Sequence, residues 1–206
     1  MKSVLISIRP KWCELIASGK KTMEVRKTRP KMGTPFKCYI YCTGVKSMNL
    51  QDYVAAHQAT GGAVDDWSGK VIGEFVCDNI ATYDDDTIFS FRYEDYARWN
   101  DFDLNRACIH PEDFQNYADG KWLYGWHISD LKIYDKPKEL SEFAVADKEA
   151  IQQCEYREQS YYAFTDTGYI KNGFYCKKKD DWCFGECKRK ALTRPPQSWC
   201  YVEELL

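Results

Sequence analysis

The chain has 206 residues and a mass of 24.1 kDa, a length that suits one domain with or without an appended module. Hydrophobic residues make up 44% and aromatic residues 16%, which excludes a disordered or collagen-like chain, and no window approaches the roughly 18 unbroken apolar residues of a membrane helix. The net charge of −2 conceals an uneven distribution: residues 1–50 hold eleven Lys/Arg against two Asp/Glu, residues 51–120 four against fifteen, and residues 171–206 eight against five. If the basic ends meet in the fold they form one positive face suited to phosphates, with the acidic stretch on the opposite side; the alternative is that both sets are solvated surface.

The opening MKSVLISIRPKWCELIASG carries a short apolar run that Arg9 and Lys11 interrupt, so it reads as the first strand of a cytoplasmic protein rather than a secretory leader. Reduced thiols are then the expectation for the ten cysteines, which are too sparse for a disulfide scaffold. Residues 2–8 read as a strand. Pro10 opens a short helix through Ala17, because proline suits a first helical turn, and Gly19 follows as a stop. Residues 21–27 (KTMEVRK) alternate strictly, with Met23 and Val25 on one face and Thr22, Glu24 and Arg26 on the other. Strands follow at 35–43 and 70–78, with a brief helix and a Gly-rich loop between them. Residues 84–120 form an acidic insertion with helices expected near 93–106 and from Pro111 to Gly120. A long strand is predicted over 122–134, with the aromatics Trp122, Tyr124 and Trp126 on a buried face, then a short helix from 139–143 and a closing strand at 198–204.

These strands and helices do not alternate regularly enough for a doubly wound sheet. They fit an α+β fold built on a small mixed β-barrel with peripheral helices. The barrel spans residues 1–143, and residues 144–206 are a cysteine-bearing extension whose last strand, 198–204, returns to close it. A barrel of five or six strands fills its own interior, which puts any ligand in a cleft at its mouth or side.

The densest polar cluster is the run from Gly19 to Arg26. Glu24 and Arg26 project from one strand face about 6.5–7 Å apart, with Lys21 just before them. Arg26 is suited to clamp a phosphate or carbonyl edge, Lys21 to supply a point charge, and Glu24 to accept from an exocyclic amine or act as a general base. The competing reading is an exposed Glu24–Arg26 salt bridge that contributes little. Trp12 is a candidate for stacking on a base beside this cluster, and His127 a candidate cleft residue.

The pattern Gly19-x-Lys21-x-x-Glu24-x-Arg26, set between the first helix and the second strand after ISIRPKWCELIASGKKT, resembles the signature of the ASCH domain, a PUA-like family. The resemblance extends through VIGEFVCD and YGWHISDL and so covers most of residues 1–143. It implies a PUA-like barrel whose cleft, lined by Lys21, Glu24 and Arg26, takes RNA or a modified nucleobase. Some small members hydrolyse an acylated cytidine with a lysine and a threonine of this segment and a glutamate elsewhere; Lys21 matches the lysine, but Glu24 stands at the threonine position. Other relatives are described as ribonucleases. An RNA- or nucleobase-binding protein is therefore the first expectation, a nucleoside amidohydrolase or ribonuclease using Lys21 and Glu24 the second, and a protein-interaction module with a vestigial cleft the third.

Near the C-terminus Cys176, Cys183, Cys187 and Cys200 are candidate ligands for a structural zinc, against the alternative of unliganded thiols, since their spacing departs from paired C-x2-C knuckles. The surrounding KKKDDWCFGECKRK interleaves basic residues with Trp182 and Phe184, as single-stranded nucleic-acid sites do. There is no dinucleotide fingerprint, phosphate-cradling glycine loop or nucleophile elbow, so a dinucleotide cofactor is not expected.

Overall fold

Residues Ser3–Ile8 form β1, and all six are buried, as suits an uncharged apolar run covered on both faces. The computed structural model describes residues 3–44, 49–84, 103–156, 164–165, 168–169, 174–178, 180–183 and 187–204. The chain divides into two units, one of residues 1–140 with 194–201 and one of residues 141–193 with 202–206.

In the first unit β1 is followed by α1 (Pro10–Ala17), β2 (Met23–Arg26), β3 (Phe36–Cys42), α2 (Leu50–Ala59), α3 (Ala63–Trp67), β4 (Val71–Cys77) and β5 (Ile80–Tyr83). The single turn α4 (Asn105–Ala107), α5 (Pro111–Ala118), β6 (Leu123–His127) and β7 (Ser129–Lys138) complete it. In the larger sheet β1 pairs in parallel with β3, Ile6 opposite Ile40, and β3, β4 and β7 follow in antiparallel order. On its other side β1 is met by the C-terminal segment, Ser7 N donating to Ser198 O at 2.8 Å. The smaller sheet has the order β2–β6–β5, all antiparallel, with Glu24 opposite Trp126 and Val25 opposite Gly125.

The expectation of a closed barrel is corrected here. Among the described residues the strands form separate sheets, and β2 pairs with β6 rather than with β1. The cause is visible in the segment predicted as one strand over 122–134. It breaks at Ile128, whose N–H bonds back to Thr22 O in the small sheet at 2.9 Å, while Ser129 onward joins β4 in the large one. Trp122 falls before β6 and is 53% exposed, so the expected buried aromatic face reduces to Trp126, fully buried, and Tyr124, packed against the core from its edge.

Two apolar cores fix the arrangement. Val4, Ile6 and Ile8 of β1, Cys38 and Ile40 of β3, and Ile72 and Phe75 of β4 pack with Cys13 and Ile16 of α1 and with Trp126; Trp126 meets Phe36 edge-on at 5.8 Å. Met23, Val25, Tyr83 and Leu123 form the second core with Leu104, Ala107, Phe114 and Ala118 from α4, α5 and the residue before α4. Gly125 allows this: a Cβ there would lie 2.6 Å from Met23 Sδ. The helix expected near 93–106 lies mostly outside the described residues, of which only its end, α4, is seen.

In the second unit the strand β8 (Phe143–Ala146) pairs antiparallel with β13 (Arg189–Ala191) and with the end of β14 (Trp199–Glu204). Between them lie α6 (Lys148–Gln152), capped by Asp147, and the short strands β9 (Phe164–Thr165), β10 (Gly168–Tyr169), β11 (Phe174–Cys176) and β12 (Asp181–Cys183). Among the described residues no helix is long and apolar enough to cross a membrane.

Candidate functional site

The site begins with how α1 ends. Gly19 takes a left-handed φ of +74°, which glycine adopts without strain, and Lys21 N then donates to Leu15 O at 2.8 Å. This turn delivers the chain to β2. Thr22 N bonds to Arg106 O at 2.9 Å and the Lys21 ammonium donates to Ala107 O at 2.5 Å, so the connection before β2 is fastened to α4. Met23 and Val25 enter the second core, as the alternation predicts. The polar face is buried too, because Glu24 and Arg26 turn toward β1 instead of solvent.

There the three predicted side chains meet. Arg26 Nη2 lies 2.9 Å from Glu24 Oε1 and donates to Ser7 O at 2.7 Å. Lys21 Nζ lies 3.5 Å from Glu24 Oε2. The side chains of Lys21, Glu24 and Arg26 are only 5%, 7% and 12% exposed, which excludes the reading of an exposed salt bridge. Placing an ion at such depth costs several kcal/mol unless its partners are complete. Here they are incomplete: Glu24 Oε2, Arg26 Nε and Thr43 Oγ1 are buried and have no hydrogen bond among the described residues.

All three of those atoms belong to residues that line one hollow of about 570 Å³. Its walls include Ser7, Arg9, Trp12, Lys21, Ala107, Ile109, Tyr117 and Gln197, all within the first unit. The Lys21 ammonium stands 5.0 Å from the centre of the Trp12 ring, a cation–π contact that orients the indole at the wall. Burial holds the Tyr117 hydroxyl above the ordinary phenol range, with Arg26 opposing and Glu24 adding to the shift. The Cys13 thiol is pushed well up by burial and by Cys42. It therefore stays protonated and offers no thiolate nucleophile.

His127 does not line this hollow. It ends β6 with Nδ1 2.6 Å from Asp78 Oδ1, and that hydrogen bond holds the Asp78 carboxyl below its usual range. Of the four proposed zinc ligands, Cys176 is buried in the second unit and packs with Ile151, Cys187 is exposed there, and Cys200 belongs to the first unit. Burial pushes the Cys200 thiol up to about 11. The Cys183 side chain and Phe184 lie outside the described residues. Among the described residues no three His, Cys, Asp or Glu side chains come together as a metal-holding group. Arg9, Thr43, Ala107 and Tyr117 were not expected at the site. They come from four separate segments, and only tertiary structure gathers them.

No family model matches the chain, and no curated protein matches it. Among solved structures it is similar to the ASCH protein of Zymomonas mobilis, at 19% identity over 67% of this chain and 73% of that one, with a TM-score of 0.44. A single-residue variant of the same protein aligns at 18% identity over 68% of this chain and 77% of that one, also at 0.44. A second single-residue variant of that protein aligns at 19% identity over 67% of this chain and 74% of that one, again at 0.44.

Proposed function

We propose that the hollow lined by Lys21, Glu24 and Arg26 binds a nucleobase, free as a nucleoside or carried on single-stranded RNA. The observation that carries this reading is the set of buried polar atoms left without hydrogen bonds where the hollow opens. A buried polar group in that state costs about 1–3 kcal/mol, and a ligand that completes it recovers the cost. Glu24 Oε2 accepts only, Arg26 Nε donates only, and Thr43 Oγ1 does either. Together they ask for a ligand with an N–H donor beside a carbonyl or ring-nitrogen acceptor, which is the edge of a base. Trp12 and Tyr117 supply ring faces on which a base stacks. Lys21, Glu24, Arg26 and Arg9 sum to a positive charge that favours a ligand bearing phosphate.

The test is a thermal-shift screen of nucleosides, modified nucleosides and short RNAs against wild type, Arg26→Lys and Thr43→Val. Arg26→Lys keeps the charge on Glu24 and removes the Nε donor. At least one base-bearing compound should raise the melting temperature of wild type, and Arg26→Lys should lower its affinity about tenfold, the effect of roughly 1.4 kcal/mol. A panel with no hit, or a hit equally strong in both variants, overturns the reading. Turnover of a panel member that stops on Lys21→Ala in folded protein would place the site among hydrolases instead.

A further inference from the structure

A second hollow, of about 550 Å³, opens over the loop that follows β2 and is lined by Lys27, Thr28, Arg29, Lys31 and Tyr124. We infer that it is a phosphate subsite, which takes the phosphodiester backbone of a nucleotide strand whose base occupies the first hollow. The inference rests on the base-binding reading above.

Three observations support it. The stretch 27–35 (KTRPKMGTP) contains three cations and no acid, and Lys27, Arg29 and Lys31 form no ion pair among the described residues. By contrast Lys21 and Arg26 each pair with Glu24, and Lys37 pairs with Glu74. Uncompensated charge of one sign is the footprint of a polyanion.

The loop is also held in place. The Trp199 indole N–H donates to Thr28 Oγ1 at 3.0 Å, Lys31 N donates to the Tyr201 hydroxyl at 2.8 Å, Pro30 is buried, and Met32 packs against the core. The Arg29 guanidinium lies over the Tyr124 ring at 5.7 Å, while Arg29 and Lys31 stay exposed. Fixed backbone carrying outward cations reduces the ordering cost of capturing phosphates.

Finally, a residue of one hollow touches a residue of the other. The Lys27 ammonium of the second stands 5.2 Å from the centre of the Tyr117 ring, which lines the first. A strand whose base enters beside Tyr117 therefore passes its next phosphates over Lys27, Arg29 and Lys31. A free nucleoside uses only the first hollow. The substrate class is accordingly an oligonucleotide rather than a nucleoside.

The test measures affinity against ligand length, from a mononucleoside to a tetranucleotide RNA, by fluorescence anisotropy competition in the full chain. Wild type should gain at least tenfold from lengthening. Arg29→Glu/Lys31→Glu should abolish that gain and flatten the salt dependence, by roughly 1.4 in the logarithmic slope at about 0.7 per phosphate contact; Arg29→Lys/Lys31→Arg should restore both. A gain that survives charge reversal overturns the subsite. An abasic ribose-phosphate tetramer separates the two proposals. If it binds wild type, loses affinity on Arg29→Glu/Lys31→Glu and is indifferent to Arg26→Lys, the subsite stands. If base-bearing tetramers are then equally indifferent to Arg26→Lys, the base-binding reading alone falls.

Discussion

Two glutamates, Glu24 and Glu74, sit on strands of the same unit with a lysine beside each, and they differ in what is left over. Glu74, on β4, is 22% exposed, and its Oε2 accepts from Tyr134 at 2.6 Å and from Lys37 at 3.1 Å. Burial alone would raise its carboxyl; the bonds from Tyr134 and Lys37 and the charges of Lys37 and Lys132 hold it below the usual range instead. Glu24 is buried among two cations, yet one of its oxygens has no hydrogen bond. The first cluster is complete in the folded chain and braces a sheet. The second is complete only with something added, and this difference separates a structural ion pair from a binding site.

Truncating the two carboxylates tests that contrast most strongly. Glu24→Ala leaves Lys21 and Arg26 buried and facing each other, and should cost about 3–5 kcal/mol in urea denaturation. Glu74→Ala frees groups that reach water and should cost about 1 kcal/mol. Equal costs would mean that the two clusters are the same kind of object.

How much of this was legible in the sequence follows from the length scale of each signal. Pro10 and Gly19 delimit α1, and the alternation of KTMEVRK marks β2, because caps and period-two patterns act over a few residues. The same alternation brings Glu24 and Arg26 to one face, and the structure joins them with Lys21. That this polar face is buried was not legible. Its cover comes from Ser7, Ala107 and Tyr117, and no local pattern announces a carbonyl 86 residues away that accepts a hydrogen bond from the Lys21 ammonium. The break at Ile128 was hidden for a related reason. An unbroken strand pattern is compatible with either sheet, and only the competing partners Thr22 and Val76 decide where the chain changes over.

The sheets that carry the glutamates offer a subtler comparison. A Cβ at Gly73, beside Glu74, would lie 2.4 Å from the backbone oxygen of Lys132, which cannot move without parting β4 from β7. A Cβ at Gly125, opposite Val25, would meet chiefly the Met23 side chain. Overpacking costs about 1–3 kcal/mol, so Gly73→Ala should reach about 3 kcal/mol and Gly125→Ala about 1–2 kcal/mol by the same denaturation measurement. The reverse order would show that the small sheet is the more rigid one.

Ligand binding sharpens the comparison further. Trp12→Ala should weaken a base-bearing ligand by about 1–3 kcal/mol in a calorimetric titration, the usual worth of one stacked base. An undiminished affinity would remove Trp12 from the site.

The smallest effect is on acid stability. Because the Glu74 carboxyl is held low in the folded chain, it contributes stability above its unfolded value near pH 4.3. That contribution is lost as pH falls through the folded value. Glu74→Gln should therefore show a shallower decline in urea stability below about pH 4 than wild type. An unchanged slope would contradict the bracing role.

The most direct measurement is an isothermal titration of the full chain and of Arg26→Lys with the base-bearing compound that most raises the melting temperature. The polar atoms left open in the first hollow predict saturable one-to-one binding to wild type, weakened about tenfold by Arg26→Lys while the fold is retained. Equal binding to both proteins, or heat of dilution alone in wild type, would contradict a base-binding site at Glu24 and Arg26.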